Sequence, residues 1–279
     1  MQKTLHKFIP LAYGAYFNSL ALFSQQNTAK KAFGLFCSPR KGKVLPEQAA
    51  FLDDARHQRV KTMNIELQTY QWKGDRETVL LLHGWESNTF RWRNLIAFLK
   101  DENYNIVAFD APAHGNSTGN IFNVALYTEC TKVIVDAYKP QIIIGHSVGG
   151  MNTLYHQEKY PNPEIEKIVT IGSPSKLQDV MQHYQQILKF NDVVYEALDD
   201  YILKNYGFRI HEFNSSDFKG HLDKKGLIIH DRRDTIVPFS ASEGVHASWK
   251  NSAFYITEGF GHSMHQKEVN LRIMDFIKS

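Results

Sequence analysis

After Gly74-Asp75 the chain alternates between short, unbroken apolar runs and longer stretches with apolar residues at three- and four-residue spacing. Apolar runs without polar alternation mark strands covered on both faces, so strands are expected at 78–82, 105–109, 141–144, 167–171, 226–229 and 253–256. The periodic stretches predict helices at 89–100, 125–138, 149–160, 240–249 and 266–277. Strand alternating with helix is the signature of an α/β protein with a parallel sheet wound on both sides. Upstream, Met63, Ile65, Leu67 and Thr69 alternate with polar neighbours, so the strands begin there.

The rhythm fails once. From 175 to about 224 a Gln-, Asp- and Tyr-rich tract with helical patches replaces the strand–helix unit. A helical insertion at this place is expected to form a lid over the carboxyl ends of the strands, where ligands bind in such sheets. Its aromatic residues Tyr184, Phe190, Tyr195, Tyr201, Tyr206 and Phe208 are expected to serve packing first and a pocket lining second.

The run 8–23, FIPLAYGAYFNSLALF, is interrupted by Asn18 and Ser19 and falls short of the ~20 apolar residues of a membrane span. Lys3 and Lys7 ahead of it resemble a signal-peptide head, but no small-x-small cleavage site follows cleanly in SQQNTAKK, so an uncleaved amphipathic helix is expected. Leu5, Phe8, Ile9, Tyr13, Tyr16, Phe17 and Leu20 give it one apolar stripe. That stripe is expected to pack on the domain, with a weak membrane-surface contact as the alternative. Thr28 is placed to cap a second helix through Phe36, which Ser38-Pro39 stops, and Pro46 to open a third.

At 279 residues, 43% hydrophobic and 22% charged, the chain fits one ordinary domain with an appendage and excludes disordered and fibrous classes. The division expected is a basic helical extension at 1–60 and a main domain at 61–279. The net charge of +3 hides an asymmetry, because the first 61 residues carry ten Lys/Arg against three Asp/Glu, about +7, and the remainder about −4. No nucleic-acid partner is read into that local charge. Cys37 and Cys130 are too few for a disulfide framework and leave the redox compartment open. A cytoplasmic protein is expected, with a membrane-associated or exported form left open.

The chemistry concentrates in Gly145-His146-Ser147-Val148-Gly149, which directly follows the apolar run QIII and precedes a helical pattern. A Gly-x-Ser-x-Gly turn from strand to helix forces the serine into a strained, exposed conformation. Gly115-Asn116-Ser117-Thr118-Gly119 matches the same pattern but does not directly follow a strand, so Ser117 reads as a turn residue. A serine nucleophile needs a base, and in this motif the base comes last in the chain, after an acid. Of thirteen histidines, His262 in Gly259-Phe260-Gly261-His262 follows the last strand. His265 is its rival and is expected exposed at the start of the final helix. His83, His146 and His230 adjoin strands and are expected to orient backbone. After the next-to-last strand Asp234 is preferred as the acid over Asp231, which leaves the strand where a turn can use it. The backbone N–H groups of Val148 and Trp85 are candidates for an oxyanion hole, with the Trp85 side chain free to line a pocket.

HGW, DAPAHGNS, GHSVGG, HDRRDTIVP and GFGH, in that order, resemble the α/β-hydrolase superfamily over roughly 64–279. Ala113 stands where the family's aspartate-centred loop has glycine. By resemblance Ser147, Asp234 and His262 occupy the triad positions, and Trp85 with Val148 the oxyanion positions. The resemblance implies a doubly wound, mostly parallel sheet, to which the pattern above adds a helical lid insertion and an N-terminal helical extension that lies outside the family core. It further implies a serine hydrolase that cleaves a small or medium carboxylic ester through an acyl-enzyme. A thioesterase, amidase, acyltransferase or C–C bond hydrolase with the same triad, and a non-catalytic binding module, are the alternatives. A serine rather than an aspartate at the nucleophile position argues against the haloalkane dehalogenase and epoxide hydrolase branches. No phosphate loop, complete GxGxxG or HExxH is present, so no cofactor or metal is expected and the partner is a small ester-type substrate. Oligomeric state stays open.

Overall fold

The computed structural model describes residues 2–279, with side chains from Phe8 onward, so Lys3, Leu5 and Lys7 of the reading above lie outside the described side chains. Three helices open the chain, α1 (Gln2–Ala21), α2 (Gln25–Phe36) and α3 (Pro46–Leu52). Strands β1 (Arg56–Thr62), β2 (Ile65–Trp72) and β3 (Thr78–Leu82) precede α4 (Arg93–Asp101), β4 (Asn105–Phe109) and α5 (Val124–Tyr138). Then come β5 (Ile142–His146), α6 (Val148–Lys159), β6 (Lys167–Ile171), α7 (Leu177–Leu188) and α8 (Asp192–Tyr206). The last four are β7 (Lys225–Asp231), α9 (Ser240–Ser248), β8 (Ser252–Thr257) and α10 (Lys267–Lys278). These elements form two compact units, one of the residues up to Ser38 with Lys176–Asn214, the other of Pro39–Ser175 with Ser215–Ser279.

The larger unit holds an eight-stranded sheet in the order β1-β2-β4-β3-β5-β6-β7-β8, antiparallel at β1 and β2 and parallel from there on. This is the doubly wound, mostly parallel arrangement that the apolar runs imply. Val79, Leu81, Ile142, Ile144, Val169, Ile171, Leu227 and Ile229 pack on one face with α4 and α10. Their alternates Leu80, Leu82, Phe109 and Ile143 are equally buried on the other, where Tyr127 of α5 meets Phe109 edge-on at 5.6 Å. Burial on both sides is why these strands show no polar alternation.

Three local expectations need correction. Met63 is not a strand residue but half of the turn joining β1 to β2, at φ +49, with Thr62 and Ile65 paired across it. Thr28 is not a cap: Ser24 accepts the Asn27 N–H and starts α2, while Thr28 lies buried inside the helix and bonds back to the Ser24 carbonyl. The extension also ends earlier than 60, because β1 pairs along its whole length with β2 and belongs to the sheet. Charged Arg56, Arg59 and Lys61 suit β1 to a sheet edge.

The smaller unit joins α1 and α2 to the insertion helices α7 and α8. Phe33 of α2 lies 5.3 Å from Tyr201 and 5.5 Å from Tyr206 of α8, and Phe36 lies 5.1 Å from Tyr184 of α7. The Tyr184 hydroxyl also donates to the Ala32 carbonyl. The aromatic residues of the insertion therefore pack, as periodicity suggested, and the N-terminal helices supply their counterpart. Among the described residues no helix is long and apolar enough to cross a membrane.

His83, His114, His156 and His221 of the larger unit are completely buried, and burial pulls each from 6.5 to about 4. The unfolded chain takes up protons at these rings near pH 6.5, whereas the fold resists until about pH 4. Their stabilising contribution is therefore complete above pH 6.5 and lost as pH falls toward 4, by roughly 1.4 kcal/mol per pH unit for each ring. The thermal midpoint is expected to be level above pH 7 and at least about 10 °C lower at pH 5. Thermal scans by circular dichroism check this, and a midpoint unchanged from pH 7 to 5 contradicts it.

Candidate active site

β5 ends at His146 and α6 begins at Val148, so one residue, Ser147, turns the chain from strand to helix. The turn closes because its two glycines have no side chains. A Cβ on Gly145 would stand 2.4 Å from the Gly149 carbonyl oxygen, and one on Gly149 2.2 Å from that of Leu82. Ser147 is left at φ +53, ψ −125, a conformation that L residues avoid and that the surrounding structure must enforce. Its N–H donates to the Ile171 carbonyl at 2.8 Å, and its Oγ lies 3.1 Å from His262 Nε2.

His262 arrives on the loop between β8 and α10, and its Nδ1 lies 2.7 Å from Asp234 Oδ2. With the proton on Nδ1, the ring donates to the carboxylate and turns the Nε2 lone pair to the Ser147 hydroxyl. The Asp234 side chain is fully buried. Its Oδ1 accepts the Ile236 and Val237 N–H groups at 2.8 and 3.0 Å, and His230 Nε2 stands 3.4 Å from Oδ2. Burial pushes this carboxyl up, but the bonds from His230, His262, Val237 and Ile236 outweigh it and hold the group well below the usual carboxylate range. The arrangement can draw a proton from the serine hydroxyl while Asp234 stays charged.

Asp231 has a different task. Its Oδ1 accepts the Arg233 and Gly259 N–H groups, and its Oδ2 accepts the Phe260 N–H and the Thr257 hydroxyl, both at 2.8 Å. It thus ties the start of the His262 loop to the end of β7. Asp231→Asn turns one acceptor into a donor facing donors, and is expected to lower stability by about 2–4 kcal/mol in urea unfolding. A variant as stable as the parent removes that role.

Other groups hold the base in place. His146 Nε2 donates to the His262 carbonyl at 2.9 Å, with ring centroids 4.8 Å apart, consistent with its reading as a backbone-orienting ring. Arg91 Nη2 donates to the Ser263 carbonyl at 2.8 Å. Gly172 follows β6, and a Cβ there would stand 3.3 Å from His262 Nδ1. Neither Arg91 nor Gly172 was singled out by sequence. A glycine directly after a parallel strand was the available signal for Gly172, whereas the Arg91 contact spans 172 positions and has none.

Val148 opens α6 directly behind Ser147, so its N–H is one of the unpaired donors of a helix start. The backbone leading into Trp85 passes so close that a Cβ on Gly84 would stand 2.8 Å from Ser147 Cβ. The Trp85 ring is half-buried against Phe122 and His114. His83 donates from Nδ1 to the Gly84 carbonyl and accepts the Ala111 N–H at Nε2, which fixes the end of β3. Ser117 is buried, donating to the Asp110 carbonyl and accepting the Gln68 N–H, as a turn residue would. His265 lies two residues before α10 and is half-buried, not exposed, because it faces the arginine-bearing segment at 91–93. Ala113, at φ +66, occupies the left-handed region that favours the glycine it replaces. Among the described residues no group of three or more His, Cys, Asp or Glu could hold a metal ion.

A family model described as the alpha/beta hydrolase fold matches residues 77–199. The chain is 25% identical to the bifunctional esterase/perhydrolase DCH of Acinetobacter calcoaceticus, over 74% of its own length and 93% of that protein's. It is 24% identical to the hydrolase YugF of Bacillus subtilis, over 78% and 96%. A bromoperoxidase from Bacillus anthracis superposes with a TM-score of 0.62 at 19% identity, over 80% of this chain and 100% of that one.

Proposed function

This chain belongs to the α/β-hydrolase superfamily, and we propose that it is a serine hydrolase that cleaves carboxylic esters with small or medium acyl groups. The observation that carries this reading is the unbroken line of hydrogen bonds from Ser147 Oγ through His262 to Asp234. His262 Nε2 takes the hydroxyl proton as Oγ bonds to the acyl carbon, and Asp234 stabilises the imidazolium. The N–H groups of Val148 and Trp85 receive the oxyanion. The imidazolium then protonates the departing alkoxide, leaving an acyl group on Ser147, and water activated by the same ring releases it as the acid. Similarity to an esterase over nearly that protein's whole length supports the ester as the bond attacked.

A fluorophosphonate probe tests the nucleophile apart from any choice of substrate. One adduct per chain, mapped by peptide mass to Ser147, is the expected result. No adduct, or an adduct on Ser117, overturns the assignment.

A further inference from the structure

α1 is apolar on both sides, and its own unit uses one of them. Gly14, Phe17 and Ala21, at helical spacing, are buried, and a Cβ on Gly14 would stand 1.8 Å from the Leu188 carbonyl oxygen of α7. Asn18 fastens the same side to the α7–α8 turn, accepting the Asn191 N–H at 2.8 Å. The opposite side carries Phe8, Ala12, Ala15, Tyr16 and Ser19, with Leu22 and Phe23 just past the helix end, all exposed. Phe8 is 63%, Leu22 83% and Phe23 86% exposed. Exposed large apolar side chains gathered on one helix face and its end mark a binding face.

Charge selects the occupant. Residues 1–38 contain Lys3, Lys7, Lys30 and Lys31 and no Asp or Glu, and Lys30 and Lys31 are exposed on α2. A second copy would set this cationic segment against its own sign, whereas an anionic bilayer surface attracts it. An apolar helix face combined with basic residues supplies the two signals that peripheral membrane attachment requires. We infer that the outer face of α1 and the Leu22-Phe23 corner lie in the surface of an anionic phospholipid bilayer. Phe8, Leu22 and Phe23 enter the acyl region, and lipid phosphates are drawn to the lysines.

Flotation of the full-length chain with vesicles tests this, using phosphatidylcholine alone and phosphatidylcholine with ~30% phosphatidylglycerol at low salt. The parent chain is expected to float with the anionic vesicles at least about tenfold more than with the neutral ones. Leu22→Ser with Phe23→Ser is expected to lower that flotation about tenfold or more, and Lys30→Glu with Lys31→Glu to abolish the preference for anionic lipid. Both pairs are exposed, so thermal midpoints within about 2 °C of the parent show that the fold is retained. No flotation, equal flotation on both lipids, or flotation indifferent to either pair overturns the inference. So does a concentration-dependent dimer dispersed by Leu22→Ser with Phe23→Ser, which assigns the face to a second copy.

Discussion

Ser147→Ala is expected to lower kcat/KM toward a short p-nitrophenyl ester by roughly 10⁴- to 10⁶-fold and to leave the thermal midpoint within about 3 °C of the parent. The loss is large because the line of hydrogen bonds ends on this one oxygen. On the proposed mechanism, His262 is left with no hydroxyl to deprotonate and no acyl-enzyme forms. What then remains is substrate binding and the proposed backbone donors at Val148 and Trp85, acting on water alone. The fold tolerates the change because the strained turn is held by backbone, through the Ser147 N–H bond to Ile171 and the close approach of Gly145 to Gly149. Activity near that of the parent would mean that another nucleophile performs the reaction.

Asp234→Asn is expected to lower kcat by about 10⁴-fold, and the direction follows from the bonds around it. The Ile236 and Val237 N–H groups both point at Oδ1, so the amide oxygen of an asparagine settles there. Its NH₂ then occupies the Oδ2 position, facing His262 Nδ1. The ring must accept at Nδ1 and carry its proton on Nε2, which puts an N–H where the lone pair should meet Ser147. Comparison with Asp231→Asn separates the two carboxylates. The first variant is inactive yet folded, while the second is chiefly less stable. A fully stable but inactive Asp231→Asn, beside an active Asp234→Asn, would move the acid to position 231.

The unequal legibility of this molecule in its sequence follows from how far apart its contacts lie. Strands at 78–82, 105–109 and 167–171 coincide with β3, β4 and β6, because burial on both faces writes itself as an unbroken apolar run. The hairpin turn at Met63 was hidden, since an apolar residue in an alternating run looks like strand until φ is known. Ser24 and Thr28 were both chemically fit to cap α2, and only the backbone chooses between them. Ser147, Asp234 and His262 could be singled out as candidates because the first directly follows β5 and the other two lie in the short loops after β7 and β8. Of the groups that steady them, His146 reads as a backbone-orienting ring but its partner, the His262 carbonyl 116 positions away, does not, and Arg91, which meets Ser263 across 172 positions, gives no signal at all. The apolar stripe of α1 predicts packing through Phe8, Ile9, Tyr13 and Tyr16, yet these are exposed, and α1 meets α7 and α8 through Gly14, Phe17 and Ala21, a face whose small residues carry little apolar signal.

That pairing sets a condition on biosynthesis. Tyr184 bonds to Ala32 across 152 positions, and Asn191 to Asn18 across 173. At about 5–20 residues per second, a ribosome delivers the partner helices some 8–35 s after the first two have emerged. Throughout that interval the nascent chain displays an uncovered greasy hairpin, a substrate for chaperones. Cutting a recombinant product at residue 39 would strip Tyr184, Tyr201 and Tyr206 of the Phe33 and Phe36 rings they meet and invite aggregation.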